Sequence, residues 1–295
     1  MTSATRLLLL LLLVLASPAS AAPVPDPEGE WARLTREAAE MGLPSRFLRL
    51  LPLEFVKLEF ADLKNVAAEY HPDSHRMVFH LSLSEGNQGR RFRPVKDIPN
   101  QDLATLYHEL FHAYFDYVDF ASGTPKMTPQ GARLHEEAKR FLSCRYTVVE
   151  LSPGPPQKGV LRKARIEKRR LTEREGWDAL NETWGVFVGW AIWNKLEATD
   201  RLNPAARWGW DALEDFLERL DDAYSSGDLT GYFEPVNPEE RKTIPRRYLA
   251  PTHGISASEI ALLLEVILDE PPGMAGLAAS WIALPAGTAG RMNAC

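Results

Sequence analysis

Apolar residues recur at intervals of three and four positions across residues 100–118. This spacing predicts an amphipathic helix whose buried stripe consists of Leu103, Leu106, Leu110, Tyr114 and Val118. The same helix carries His108 and His112 outside that stripe. The hydrophobic pattern therefore predicts that one face of the helix packs into the core and that the face with the two histidines is available for a functional role.

Two shorter stretches before this helix have the character of strands. Residues 65–70 and 77–83 are rich in strand-forming side chains, and they flank the turn-forming residues 71–74, of sequence HPDS. The pattern predicts a β-hairpin directly upstream of the histidine-bearing helix.

Helical patterns also mark residues 29–42, 132–144, 172–197, 205–224 and 258–268. Thr172 and Glu175 have the spacing of a capping box, which favours a helix start at that point. Strands grouped early in the chain and helices grouped later predict an α+β fold, mostly helical, with one small antiparallel sheet.

The amino terminus has the pattern of a secretory signal peptide. Arg6 precedes the apolar run Leu7–Leu15, and small residues follow at Ala19-Ser20-Ala21. The apolar run is too short to span the roughly 30 Å of membrane hydrocarbon, and no later stretch is long enough. We predict cleavage after Ala21, a single domain over residues 22–295, and a secreted or periplasmic protein without stable membrane insertion.

Composition and net charge limit the classes of partner and of fold that the chain can have. The chain has 295 residues and a formal net charge of −6, which argues against nucleic acid as a partner. It contains two cysteines, Cys144 and Cys295, so it is not a disulfide scaffold. The two could pair in an oxidising compartment, and the sequence leaves that pairing open.

The segment that carries chemistry is His108-Glu109-Leu110-Phe111-His112, an H-E-x-x-H motif on the predicted helix. Residues four apart lie one turn apart on nearly the same face, so the two imidazoles can converge on one metal ion. Glu109 lies beside them and can take a proton from a water that the metal acidifies. The motif alone is not specific, but its separation from the apolar stripe favours a metal site.

The segment from His108 to Tyr117, HELFHAYFDY, resembles the active-site helix of thermolysin-like zinc peptidases, the gluzincins. The resemblance implies that His108 and His112 bind zinc and that Glu109 is the general base. It also implies a substrate-aligning strand before the helix, for which Met77–Leu83 is the candidate. A metzincin-type third histidine would fall at Val118, which excludes that class.

The resemblance further implies that the third ligand is a glutamate on a later helix, often preceded by asparagine. Asn181-Glu182 fits this pattern. Glu182 shares a helical face with Gly185 and Gly189, and two glycines there predict close approach by another helix. Glu182 is the preferred ligand.

Two other glutamates, Glu136 and Glu137, stay open as third ligand because they are nearer in sequence to the histidines. The family's aspartate four residues after the third ligand is Val186 here, so the carboxylate that orients a zinc-bound imidazole must come from elsewhere. Asp116, one turn beyond His112, is a candidate for that partner, and a role at the helix surface or in anchoring a loop suits it at least as well.

The group that would stabilise an oxyanion is harder to assign. Tyr232, Tyr248 and His253 lie in an irregular C-terminal region that could form a wall of the cleft, although a structural role suits each of them as well. Of the histidines near the hairpin, His80 is the one expected to face the cleft.

These patterns lead to one leading hypothesis, an exported zinc-dependent peptidase that holds one zinc ion and acts on a peptide or protein substrate. The alternative is an exported zinc-binding protein with a peptidase-like fold and no turnover. A third hypothesis is a helical interaction module whose histidines bind no metal.

Overall fold

A computed structural model describes residues 21–152, 166–201, 210–270 and 272–283. Within these residues the helices are α1 (Pro27–Glu40), α2 (Arg46–Leu50), α3 (Asn100–Phe120), α4 (Pro129–Arg145), α5 (Glu173–Arg201), α6 (Trp210–Ser226), α7 (Pro238–Thr243), α8 (Ala257–Val266) and α9 (Pro272–Ala283). The strands are β1 (Ala22–Pro23), β2 (Lys57–Ala61), β3 (Ala68–His71), β4 (Arg76–His80), β5 (Val148–Leu151), β6 (Glu167–Arg170), β7 (Tyr232–Phe233) and β8 (Arg247–Tyr248). The mostly helical α+β class predicted from the sequence is confirmed.

Each predicted helix corresponds to an observed one, with shifted ends. The capping box before α5 is present, since Thr172 Oγ1 accepts from the Glu175 amide at 3.2 Å and Glu175 Oε2 accepts from the Thr172 amide at 3.0 Å. α1 begins earlier than predicted because the Asp26 carboxylate accepts a hydrogen bond from the Gly29 amide. Of the predicted helix 205–224, residues 205–209 lie outside the described ranges.

The predicted hairpin is formed by β3 and β4, which pair antiparallel with Ala68 opposite Phe79. A tight turn at residues 72–74 joins them, and His75 follows in the left-handed conformation with φ of 49°. The second predicted strand is shorter than expected, because residues 81–83 turn away as a single 3-10 turn.

The sheet around the hairpin has the order β1-β2-β4-β3. β2 runs parallel to β4, so the predicted small antiparallel sheet also contains one parallel pair. The sequence did not indicate β2, a short strand whose pairing with β4 depends on tertiary contact. β3 lies at the edge of the sheet, and it packs on α3.

Helix α3 runs through the centre of the molecule and packs most extensively against α5. The apolar stripe predicted for α3 is buried, with Leu103, Leu106, Leu110, Tyr114 and Val118 each at most 1% exposed. Burial of such side chains stabilises the fold by about 1.5–3 kcal/mol each. The stripe therefore fixes the orientation of α3 and, with it, the direction of the two histidines.

Among the described residues, none of the helices has the length and apolar character needed to cross a membrane. The predicted signal peptide falls on residues 1–21, of which 1–20 lie outside the described ranges. Cys144 is disulfide-bonded, and Cys295, the other cysteine of the chain, lies outside the described ranges.

Candidate metal centre

The site lies where α3 and α5 approach each other closely. A Cβ atom placed on Gly185 would lie 2.7 Å from His112 Cε1, and one placed on Gly189 would lie 3.1 Å from the carbonyl oxygen of Ala104. Both glycines therefore leave space that α3 fills. The close helix approach predicted from the glycine spacing is confirmed.

This approach brings His108, His112 and Glu182 together. The two Nε2 atoms of the imidazoles are 2.9 Å apart, and each lies 3.7 Å from an oxygen of the Glu182 carboxylate. Ligands placed tetrahedrally at about 2.0–2.1 Å from zinc lie about 3.3 Å from one another. The observed separations bracket that value, so the three side chains fit a small divalent cation.

The rival third ligands do not join this cluster. Glu136 and Glu137 lie on α4, and Glu137 forms an ion pair with Arg140 at 2.5 Å. Among the described residues, the one group of histidine, cysteine or carboxylate side chains whose ligand atoms could share a metal consists of His108, His112 and Glu182. Of the three glutamates considered, the fold brings Glu182 to the histidines.

Asn181 orients one of the imidazoles. Its side-chain oxygen lies 2.9 Å from His112 Nδ1, and an amide oxygen can only accept, so His112 carries its proton on Nδ1. The Nε2 atom is then left with a lone pair directed at the cluster. This partner is a neutral amide where the family pattern has a carboxylate.

Asp116, the partner suggested by the sequence, interacts elsewhere. Its Oδ2 accepts a hydrogen bond from the Tyr70 hydroxyl at 2.5 Å and lies 2.9 Å from His75 Nδ1. Of the roles left open for Asp116, its contacts with the β3–β4 hairpin support the anchoring role, and the partner of His112 is a different residue.

The Glu182 carboxylate has unused bonding capacity. Its Oε2 atom is buried and accepts no hydrogen bond from any residue that the structure describes. Burial alone would raise the pKa of Glu182, but the neighbouring His112 and His108 outweigh it and lower the pKa to about 2. A buried anion with an unpartnered oxygen beside two imidazoles is the arrangement that a bound cation satisfies.

Glu109 lies beside the cluster, with Oε1 4.0 Å from His108 Nε2. Its Oε2 accepts a hydrogen bond from the backbone amide of Tyr70 at 2.8 Å, which ties the carboxylate to β3. Burial raises the pKa of Glu109 to about 7, against the lowering effects of His112 and of the Tyr70 amide. A carboxylate of this basicity can both take up and release a proton near neutral pH.

The strand next to the site is β3, and the candidate Met77–Leu83 does not occupy that position. β4 lies between β2 and β3 inside the sheet, so its backbone groups face other strands. β3 is the edge strand, and its Tyr70 amide points away from β4 toward Glu109. Tyr70 thus contacts α3 at two points, through its amide at Glu109 and through its hydroxyl at Asp116.

The three candidate oxyanion stabilisers lie at different distances from the cluster. Tyr232 lies beside Glu182, and burial together with that carboxylate raises the pKa of its phenol well above the ordinary value. Tyr248 pairs with Tyr232 across β7 and β8, with ring centroids 5.6 Å apart. His253 is buried elsewhere, with Nε2 2.7 Å from the Arg145 carbonyl oxygen.

His80 contacts Ser82 and Asp62 at the end of the hairpin. In the part of the chain that the structure describes, no hydrogen bond or ion pair joins His80 to the His108–His112–Glu182 cluster. The expectation that His80 faces the cleft has no support in these contacts.

No protein-family model, curated protein or solved structure matches this chain. The functional interpretation of the site therefore rests on the geometry of its residues.

Two residues at the site were missed by the sequence reasoning. The Tyr70 amide, which holds Glu109, has no signal in the sequence because any residue at that strand position would offer one. Arg246, whose guanidinium carbon lies 4.6 Å from the centroid of the Tyr232 ring, is brought there by the pairing of β7 with β8. A pattern of spacing could not have found either contact.

Proposed function

We propose that the protein is an exported zinc-dependent peptidase of the gluzincin type. The observation that carries this proposal is the convergence of His108, His112 and Glu182, with Glu109 beside them on the helix that bears the histidines. Two imidazoles and one carboxylate are a usual ligand set of a hydrolytic zinc ion.

A zinc ion held by these three residues would polarise the scissile carbonyl and acidify the attacking water. Glu109 takes the proton from that water and delivers it to the departing amine. The Tyr70 amide holds the carboxylate in place, which limits the motion needed for each transfer.

Tyr232 is the group best suited to stabilise the developing oxyanion. A phenol is protonated near neutral pH, and burial together with Glu182 raises the pKa of Tyr232 further, so this side chain can donate a hydrogen bond. Its neighbour Tyr248 packs against the ring and limits its movement.

A peptide is the substrate class that suits the surroundings of the site. β3 is an edge strand beside Glu109, and an extended peptide can pair with the outward backbone groups of such an edge, apart from the Tyr70 amide, which donates to Glu109. The gluzincin resemblance implies the same use of a strand, although here the candidate is β3.

The second candidate function is an exported zinc-binding protein without turnover. It is favoured by one observation, the neutral Asn181 amide at the position where a carboxylate would raise the basicity of His112. Both functions include bound zinc, so turnover separates them.

The deciding experiment compares the wild-type chain with Glu109→Gln. We expect one zinc ion per chain in both proteins and a loss of peptide hydrolysis of about 10²–10⁴-fold in the variant, the usual contribution of a general base. Asp119→Asn is the matched control, because it removes an exposed charge from the last turn of the same helix.

Equal, near-zero hydrolysis by wild type and Glu109→Gln, with zinc retained by both, would favour the non-catalytic function. A purified chain that contains no zinc and takes up none on titration would contradict both functions. Mass measurement of the exported protein tests the predicted cleavage after Ala21, which would leave Ala22, the first residue of β1, as the amino terminus.

A further inference from the structure

Arg246 is the cationic side chain next to Tyr232 at the candidate centre. β7 packs on α5, and Gly231 lies directly against Thr183, the residue after Glu182. This contact places Tyr232 beside the Glu182 carboxylate, and the Arg246 guanidinium lies over the Tyr232 ring. The Tyr232 side chain therefore lies between the Glu182 carboxylate and the Arg246 guanidinium.

The arginines around Arg246 are neutralised by carboxylates. Arg169 forms ion pairs with Glu175 at 2.7 Å and with Glu240 at 2.6 Å. Arg247 forms ion pairs with Glu167 and, at 3.5 Å, with Glu240. These two side chains are structural, because each has two anionic partners.

Arg246 has no such partner. No carboxylate of the described residues lies within 4 Å of its guanidinium, and none of them accepts a hydrogen bond from it. The Tyr232 ring holds the guanidinium through its face, which leaves all of its N–H donors available. Arg246 is also exposed, so an incoming molecule can reach those donors.

The charges around the centre are otherwise negative. Glu109, Glu182 and Asp178 lie on the two site helices, and Glu234 follows β7. The zinc ion of the proposed function would offset part of this negative charge, but its open position would be used by water and the scissile carbonyl. A substrate carboxylate nearby would therefore still need a cation to face it. Arg246 is positioned to be that cation.

We propose that Arg246 binds a carboxylate of the peptide substrate close to the scissile bond, so that the enzyme prefers peptides with an anionic group there. This inference rests on the proposed peptidase function. A terminal carboxylate and an acidic side chain present the same chemistry to a guanidinium, which can bind either with two parallel hydrogen bonds.

The test measures peptide binding to the zinc-loaded Glu109→Gln protein, which cannot use the general base. One pair of acetylated hexapeptide pools differs only in ending with a carboxylate or a carboxamide. A second pair ends in carboxamide and differs only in carrying Asp or Asn at one internal position. Calorimetry gives the dissociation constant for each pool.

We expect the carboxylate-bearing pool of one pair to bind about tenfold more tightly, in keeping with a partly exposed charge-assisted hydrogen bond. The pair that shows the preference identifies the source of the carboxylate. Adding Arg246→Gln removes the preference, and Arg246→Lys retains part of it because lysine keeps the charge without the planar fork. Arg241→Gln, an equal charge change on the exposed α7, leaves the preference intact.

Equal binding within both pairs, no binding of any pool, or a preference that survives Arg246→Gln would each overturn the inference. Hydrolysis by the wild-type protein is measured in parallel with the same pools. An Arg246-dependent preference without hydrolysis would contradict the proposed peptidase activity and leave the carboxylate site standing.

Discussion

Glu182 and Glu259 are two carboxylates next to α5 that have little solvent exposure, 16% and 0% of their side chains, and they differ in their bonding. Glu259 is fully buried, and both of its oxygens are used: Oε1 accepts from the Tyr146 hydroxyl at 2.9 Å and from the Trp184 indole at 3.0 Å. Oε2 accepts from the Ser256 amide at 2.7 Å and lies 3.2 Å from Arg145 Nε. Glu182, by contrast, has one buried oxygen that accepts no hydrogen bond from the described residues.

This difference in hydrogen bonding distinguishes Glu259, a carboxylate with a structural role, from Glu182, a carboxylate that can bind a ligand. A buried charge is tolerated when its partners are complete, as around Glu259, where residues of α4, α5 and α8 supply them. An incomplete set, as around Glu182, leaves an oxygen that a cation can bind. We therefore expect substitution of Glu259 to act mainly on folding stability and substitution of Glu182 to act mainly on zinc affinity.

The largest effect is expected at the structural carboxylate. Glu259→Gln leaves Arg145 buried without its anion and should lower the free energy of unfolding by about 3–5 kcal/mol. Urea unfolding of the metal-free protein measures this. Glu265→Gln, which breaks an exposed pair with Arg133 on the same helix, should cost less than about 1 kcal/mol. A similar small cost for both variants would remove the distinction between the two carboxylates.

Glu182→Gln should act mainly on metal binding. We expect zinc affinity to fall by at least about 100-fold, the upper range for changes in residues that merely orient ligands. The metal-free protein should lose some stability, because the imidazoles that lower the pKa of Glu182 favour its charged form in the folded state. The loss should be smaller than in Glu259→Gln, where a buried arginine loses its anion. Competition with a chelator measures the affinity, and Glu136→Gln, which alters the rival ligand on α4, should leave it unchanged. Loss of zinc in Glu136→Gln instead would show that the wrong glutamate was chosen.

A smaller effect is expected for the residue that orients His112. Asn181→Ala removes the acceptor of the Nδ1 proton and should reduce zinc affinity by about 10–100-fold. Asn181→Asp restores an acceptor and should recover the affinity. If the alanine variant binds zinc as tightly as the wild type, the hydrogen bond does not set the direction of the imidazole.

The smallest effect concerns the pH dependence of folding stability at His253, a buried histidine near Glu259. Burial and the nearby Arg145 charge lower the pKa of His253, so the folded protein holds this imidazole neutral. The unfolded chain binds the proton more readily, and the stability that His253 contributes above its ordinary pKa of about 6.5 is therefore lost as the pH falls through the lower folded value.

Urea unfolding of the metal-free protein at pH 7.5 and at pH 5.5 tests this sign. The difference in stability between the two pH values should be smaller in His253→Gln than in the wild type. His71→Gln, which removes a half-exposed imidazole, should behave as the wild type does. An unchanged difference in His253→Gln would contradict a neutral, buried His253.

The elements that the sequence predicted are those whose signals are local. α3 has a five-residue apolar stripe, α5 has a capping box, and the β3–β4 hairpin has its turn residues between two strand patterns. β2 and β7 are short and carry no comparable pattern, since their pairing partners come from elsewhere in the chain. This is why the parallel pair in the sheet was not expected.

The same rule applies within the site. The roles of the H-E-x-x-H motif and of the glycines of α5 could be inferred from the sequence, because a helix fixes the relative positions of residues three and four apart. Helical spacing made Asp116 one candidate for the partner of His112, and the partner is Asn181, on a different helix. Helical spacing places Asp116 near His112 along the axis but does not say which neighbour its side chain prefers.

By itself, the sequence determined that one helix would bury an apolar stripe and direct two histidines and a glutamate away from it. It also determined that another helix would offer a close-packing glycine face. Only the tertiary structure decided that Glu182 and not Glu136 meets the histidines, that the Tyr70 amide holds Glu109, and that Arg246 lies unpaired over Tyr232. The physical reason is that local geometry follows from backbone periodicity, whereas these contacts join residues far apart in the chain and arise from the packing of α3, α5 and β7.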